Sequence, residues 1–171
     1  MFNLKKIPFF SDLTSQQEKK ILSLMEKIEI EPGVELIKED EVGTEMFILI
    51  SGQVKIVKRM VKPEIAEKIP FLEENSKVLA TLDGKDFPVL GEIALIDSDK
   101  RSATVYTLTS CTFLKLTQEK FLSLAHAEPE LGLKISVAVS KSLAQKLRQT
   151  NGDIVKLTTA LALLLYKRRY V

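Results

Sequence analysis

The chain has 171 residues, 45% of them hydrophobic and 28% charged, which suits one domain with a sizeable core and excludes a disordered chain. Its 25 basic and 23 acidic side chains leave a net charge of +2, too balanced for binding driven by bulk charge to nucleic acid or membranes. A single cysteine, Cys111, excludes an internal disulfide and fits a reducing, cytoplasmic setting.

The start, MFNLKKIPFF, lacks an apolar stretch of signal-peptide length, and the longest apolar run, 160–166, is too short to span a bilayer. Residues 11–25 (SDLTSQQEKKILSLM) read as an amphipathic helix with Ile21, Leu22 and Met25 on one stripe and capping-box spacing from Ser15 to Glu18. From about 26 to 116 the period becomes two. EKIEIE, VELIKE, EMFILIS, QVKIVKR, KVLATL, RSATVYTL and CTFLKL are short alternating runs, divided by Pro32-Gly33, Gly43, Ser51-Gly52 and Asp83-Gly84. Seven or eight such strands predict a jelly-roll β barrel. Residues 61–76 break the spacing with two prolines and several glutamates, as a long hairpin insertion with room for a helical turn.

The helical period returns at TQEKFLSLAHAE, with Thr117 as N-cap and Pro129 as its limit, and continues from Glu130 toward Arg169. The expected fold is mainly β with flanking α: about eight strands, a short N-terminal helix and long C-terminal helices. Residues 1–128 form the β unit with its adjoining helices, and 129–171 a C-terminal helical segment acting as lid or dimerisation element.

Nothing in the chain supports catalysis. His126 is a lone helical histidine, and Cys111 opens a strand without a basic neighbour to activate it. One histidine and one cysteine do not make a zinc site, and no nucleophile elbow, HExxH, CxxC or Walker loop is present.

The informative stretch is GEIALIDSDKRSAT, residues 91–104. Gly91 allows close approach of backbone, GEIAL suits one helical turn with outward N–H groups, and Arg101 offers a planar fork for two anion oxygens. Glu92 would repel a bare anion, so its presence calls for a ligand that also carries a hydroxyl donor. Spacing alone equally allows Glu92 and Arg101 simply to pair with each other.

This stretch resembles the phosphate-binding cassette of the cyclic nucleotide-binding domain family, with the Glu-to-Arg spacing of the protein kinase A regulatory subunits. The resemblance extends upstream through IEPGVELIKEDEVGTEMFILISGQVKI, with Gly33, Gly43 and Gly52 at turn glycines and Phe47 at a strand aromatic, and covers about residues 5–150. It implies that Glu92 accepts the ribose 2′-OH and that Arg101 binds the cyclic phosphate. It also implies that Gly91 and the backbone N–H groups of Ile93, Ala94, Ser102 and Ala103 assist. Two departures stand out. GKDFPVLGE is about two residues longer than the family's usual approach to the cassette, and Lys100 replaces the common proline before the arginine. Ser102 leaves cyclic AMP and cyclic GMP both open, with cyclic AMP preferred.

In place of the winged helix-turn-helix of catabolite-activator-like members, about forty residues follow Pro129, so no DNA partner is expected. Leu143, Leu147, Thr150, Ile154, Leu157, Leu161, Leu164 and Arg168 are instead spaced alternately by four and three, as heptad d and a positions. They form either a homodimer seam or an apolar face packed on the chain's own β unit. Asn151-Gly152 costs the helix about 1.5 kcal/mol relative to two alanines. The ending ALALLLYKRRY is read as the basic end of the dimer helix, with a partner protein or an acidic membrane surface as the other choice. The expectation is a non-enzymatic cyclic nucleotide receptor without cofactor or metal, signalling through its C-terminal helices to a separate effector. The alternative is a degenerate, non-binding relative serving as a dimeric interaction module.

Overall fold

The computed structural model describes residues 3–61, 65, 68 and 76–170, with side chains to residue 166. Eight strands form two four-stranded antiparallel sheets, as expected for a jelly roll: β1 (Glu26–Ile30), β2 (Glu35–Ile37), β3 (Glu45–Ser51), β4 (Gln53–Arg59), β5 (Ser76–Asp83), β6 (Val89–Leu90), β7 (Thr104–Thr107) and β8 (Cys111–Thr117). One sheet runs β1-β8-β3-β6 and the other β2-β7-β4-β5. The sheets face each other without closing into a barrel, because β1, β6, β2 and β5 remain edges.

The described residues include three α-helices that flank the sheets: α1 (Ser15–Leu24), α2 (Gln118–Ala127) and α3 (Pro129–Tyr170). The capping box of α1 is Thr14 with Gln17, one residue earlier than the Ser15–Glu18 spacing suggested. Glu18 instead accepts the backbone N–H of Leu4 at 2.6 Å and ties the N-terminal segment to α1. Two 3-10 turns, Leu4–Lys6 and Pro8–Phe10, precede α1 and bury Leu4 and Phe10. Thr117 caps α2 as expected, and Pro129 opens α3, where its missing N–H costs nothing.

Strand β3 explains the layering. Its run Met46-Phe47-Ile48-Leu49 is buried on both faces. Phe47 and Leu49 join Val54, Leu90, Val105 and Phe113 between the sheets. Met46 and Ile48 join Phe10, Ile21, Leu95, Leu116, Phe121, Leu131 and Ile135 beneath the helices. Cys111 is buried in the inter-sheet core, as the inert reading required, and His126 is exposed on α2. Gly132 lets α3 cross α2 closely, since a Cβ there would press into Ala125.

The hairpin expected around 61–76 is present in its strands, β4 and β5, paired from Gln53↔Asp83 to Arg59↔Ser76. Its tip, including the expected helical turn, lies mostly outside the described residues. The longer GKDFPVLGE run becomes a 3-10 turn over Gly84–Asp86, a left-handed Phe87 and the two-residue strand β6. β6 pairs with β3 through Phe47↔Leu90 and Ile48↔Val89, which fixes where the cassette begins.

Candidate functional site

Gly91 follows β6 in the left-handed conformation (φ 67°) and turns the chain into a 3-10 helix over Glu92–Leu95. Only glycine enters that region without strain, and a Cβ here would also overlap the Arg101 guanidinium. The far end of the cassette is held by the β2–β3 loop. Arg101 N–H donates to Glu41 O at 2.8 Å, Asp40 N–H donates to Arg101 O at 3.0 Å, and Val42 bridges Lys100. Lys58 Nζ donates to Ser102 O at 2.6 Å.

Arg101 is 10% exposed and lies between two glycines, Gly43 and Gly91, each of which would strike it if given a side chain. Its fork is extended by backbone: Nη1 donates to Gly91 O at 3.2 Å and Nη2 to Glu45 O at 2.7 Å, with Glu45 Oε2 at 3.4 Å. Burial lowers its pKa from the ordinary arginine value, opposed by the charges of Glu45 and Glu92. The sequence marked Gly43 as a turn residue, but its second role is to leave room for this guanidinium. Glu45 was not legible as a contact, because the oxygen it contributes at close range is main-chain.

Glu92 is 1% exposed and does not pair with Arg101, so the simple ion-pair reading of the cassette fails. Its Oε1 accepts from Ser142 Oγ at 2.7 Å and from Lys146 Nζ at 2.6 Å, both on α3. Its Oε2 has no partner, and among the described residues it is the sole buried side-chain nitrogen or oxygen in that condition. Buried carboxylate oxygens are normally satisfied, so this one marks an acceptor awaiting a donor.

A cleft of about 90 Å³ joins these groups, lined by Gly91–Ala94, Asp97, Asp99–Ser102 and Lys146. Gly91, Glu92, Ile93, Ala94, Arg101 and Ser102 therefore come together as the sequence indicated, while Ala103 lies outside the lining. The Ala94 N–H is engaged by Gly91 O at 3.1 Å. Lys146 and Ser142, some fifty residues from Glu92, were missed. A hint was present: Leu131, Ile135, Val139, Ser142 and Lys146 continue one helical stripe, and its last two members are polar. Among the described residues no group of three or more His, Cys, Asp or Glu is placed to hold a metal, and no helix is long and apolar enough to cross a membrane.

A fixed cation and an unsatisfied acceptor in the lining of one cleft can receive a ligand carrying both an anionic group and a hydroxyl. Known proteins bear on what that ligand is. Residues 27–128, more than half of the chain, match the family model described as the cyclic nucleotide-binding domain. The chain is 30% identical over 118 residues to a cAMP-dependent protein kinase regulatory subunit of Yarrowia lipolytica, covering 69% of this chain and 27% of that protein. It is 27% identical over 133 residues to a CRP-like cAMP-activated global transcriptional regulator of Mycobacterium tuberculosis, covering 78% of this chain and 52% of the relative. It thus spans between a quarter and about half the length of these relatives. The crystal structure of Thermus thermophilus catabolite activator protein superposes with a TM-score of 0.72 at 21% identity, over 88% of this chain and 63% of that one, a likeness of fold. With the jelly roll, the cassette and the matched family model in agreement, the chain belongs to the cyclic nucleotide-binding domain family.

Proposed function

We propose that the chain is a cyclic AMP receptor, with cyclic GMP as the other candidate ligand, that performs no chemistry and signals through α3. The observation that carries this is the presence of a buried Arg101 and of the unpartnered Oε2 of Glu92 at one cleft. Arg101 would bind the cyclic phosphate and Glu92 Oε2 would accept the ribose 2′-OH. Gly91 and the N–H groups of Ile93 and Ser102 would serve the phosphate from the cleft wall; Ala94 would join them on giving up Gly91 O, and Ala103 from just beyond the lining. We assign residues 1–128 to nucleotide binding and 129–171 to output as a lid and dimer helix. The cytoplasm is the proposed setting and a separate effector protein the proposed target. Calorimetric titration with cyclic AMP, cyclic GMP and cyclic di-GMP tests the reading. Absence of heat with all three would leave the degenerate, non-binding module in its place.

The relatives named above support the ligand class, since both carry cAMP in their names. The dimer is supported by exposure. Leu147, Ile154, Leu157, Leu161 and Leu164 lie at 52–66% exposure, so the seam is not covered by the chain's own β unit; Leu143, nearer the body, is half-buried.

Sugar recognition has its own test. A 2′-deoxy cyclic nucleotide is expected to bind the native chain about tenfold less tightly, as for a lost hydrogen bond to a charged group. Glu92→Gln should bind the deoxy and ribo forms with nearly equal affinity. Additive losses in this cycle would remove the sugar contact.

Gly43→Ala is expected to weaken binding by about 1–3 kcal/mol with the sheets intact, because the new Cβ displaces the guanidinium rather than disturbing the core. Calorimetry alongside thermal unfolding separates the two effects. A parallel loss of stability and affinity would place the damage in the fold instead.

A further inference from the structure

We infer that Ser142 and Lys146 are the chain's own occupants of the sugar-recognising carboxylate, and that a ligand must displace Lys146 to enter. This rests on the receptor reading above but concerns a contact that the family resemblance did not supply.

Three observations converge on it. Glu92 is 1% exposed, and a buried carboxylate without a counter-charge is costly. Arg101 is turned to Gly91, Glu45 and the β2–β3 loop, so the ammonium of Lys146, 2.6 Å from Oε1, supplies the counter-charge. The cleft, at about 90 Å³, falls well short of the roughly 300 Å³ at which small-molecule sites begin, and Lys146 is part of its wall.

Position on the helix gives the contact its leverage. Ser142 and Lys146 are one turn apart and face the same way. Among the described residues Val139 is the last buried one of α3, and every one from Gln145 to Tyr166 is exposed. The pair therefore ties α3 to the cassette beyond the last core residue of the helix. A ligand too large for the cleft would take the space that Lys146 now walls off while its hydroxyl satisfied Oε2, and the helix beyond Val139 would keep only the exposed Lys141–Asp12 pair. Glu92 is thereby read twice: by α3 when the site is empty and by the ligand when it is filled.

The test is Lys146→Met, which keeps the apolar stem and removes the ammonium. Lys146 is 55% exposed, so the fold should be unaffected. Two readouts are needed. Without nucleotide, backbone amide exchange across 140–150 should accelerate by about threefold or more in the variant, and wild type with cyclic AMP should show the same acceleration. In calorimetry the variant should bind cyclic AMP about three- to tenfold tighter, the factor expected when a half-exposed ion pair no longer holds part of the population closed. Unchanged exchange in the variant, or binding equal to or weaker than wild type, overturns the latch while leaving the receptor intact. Accelerated exchange in a protein that binds none of the cyclic nucleotides would establish the latch and overturn the receptor.

Discussion

Replacing Arg101 with alanine is expected to weaken cyclic nucleotide binding by about 2–4 kcal/mol, or roughly 30- to 1,000-fold, the cost of removing a buried charge-assisted partner. The side chain is only 10% exposed and is set in place from both sides by Gly43 and Gly91, so its geometry is prepared before any ligand arrives. Stability should fall much less than affinity, because the carbonyls of Gly91 and Glu45 that it now serves sit beside a cleft that water can enter. Lysine should rescue only part, since a point charge cannot reach two carbonyls and two phosphate oxygens as a planar fork does. Calorimetry on the three proteins decides this; binding within threefold of wild type in the alanine variant would take Arg101 out of the site.

The second large effect concerns assembly. Leu157→Lys with Leu161→Lys is expected to convert the proposed dimer into a monomer with an unaltered jelly roll. Both leucines lie centrally in the heptad run, are more than half exposed in the single chain, and would each bury a charge in the seam at a cost of several kcal/mol. Nothing in the body would be harmed, because no residue of the two cores belongs to that half of α3. Sedimentation equilibrium with and without cyclic AMP is the measurement. A native chain that stays monomeric at high micromolar concentration would sink the seam, and its leucines would then require another partner.

The sequence carried most of the fold because its patterns are local. Alternation marked seven strands, and Thr117 and Pro129 marked the helix junction. Strand β6 escaped because two residues have no period, and the 3-10 turns at Leu4–Lys6 and Pro8–Phe10 because one turn leaves no amphipathic stripe. Closure of the sheets is not encoded in strand count, and the open edges differ from the expected barrel for that reason. At the site, Glu92 and Arg101 were legible because both belong to one short segment. Their partners were not, since Lys146 and Ser142 arrive from a distant helix and Glu45 and Gly91 act mainly through backbone oxygens. The ion pair that spacing permitted between Glu92 and Arg101 was decided only by three-dimensional placement, with each charge turning to a different neighbour.

The cassette also has a mechanical consequence. It leaves one sheet at β6 and enters the other at β7, while its far end is stitched to the loop between β2 and β3. A molecule gripping both Glu92 and Arg101 would act as a rivet across the mouth of the sandwich, loading both sheets at once. Heat would then have to break that rivet before the sheets could part. Saturation at a hundredfold excess over Kd would add about 2.7 kcal/mol of stability, raising the melting temperature by roughly 5–10 °C. The two halves of the sandwich would separate together, as a single cooperative event, rather than one sheet at a time.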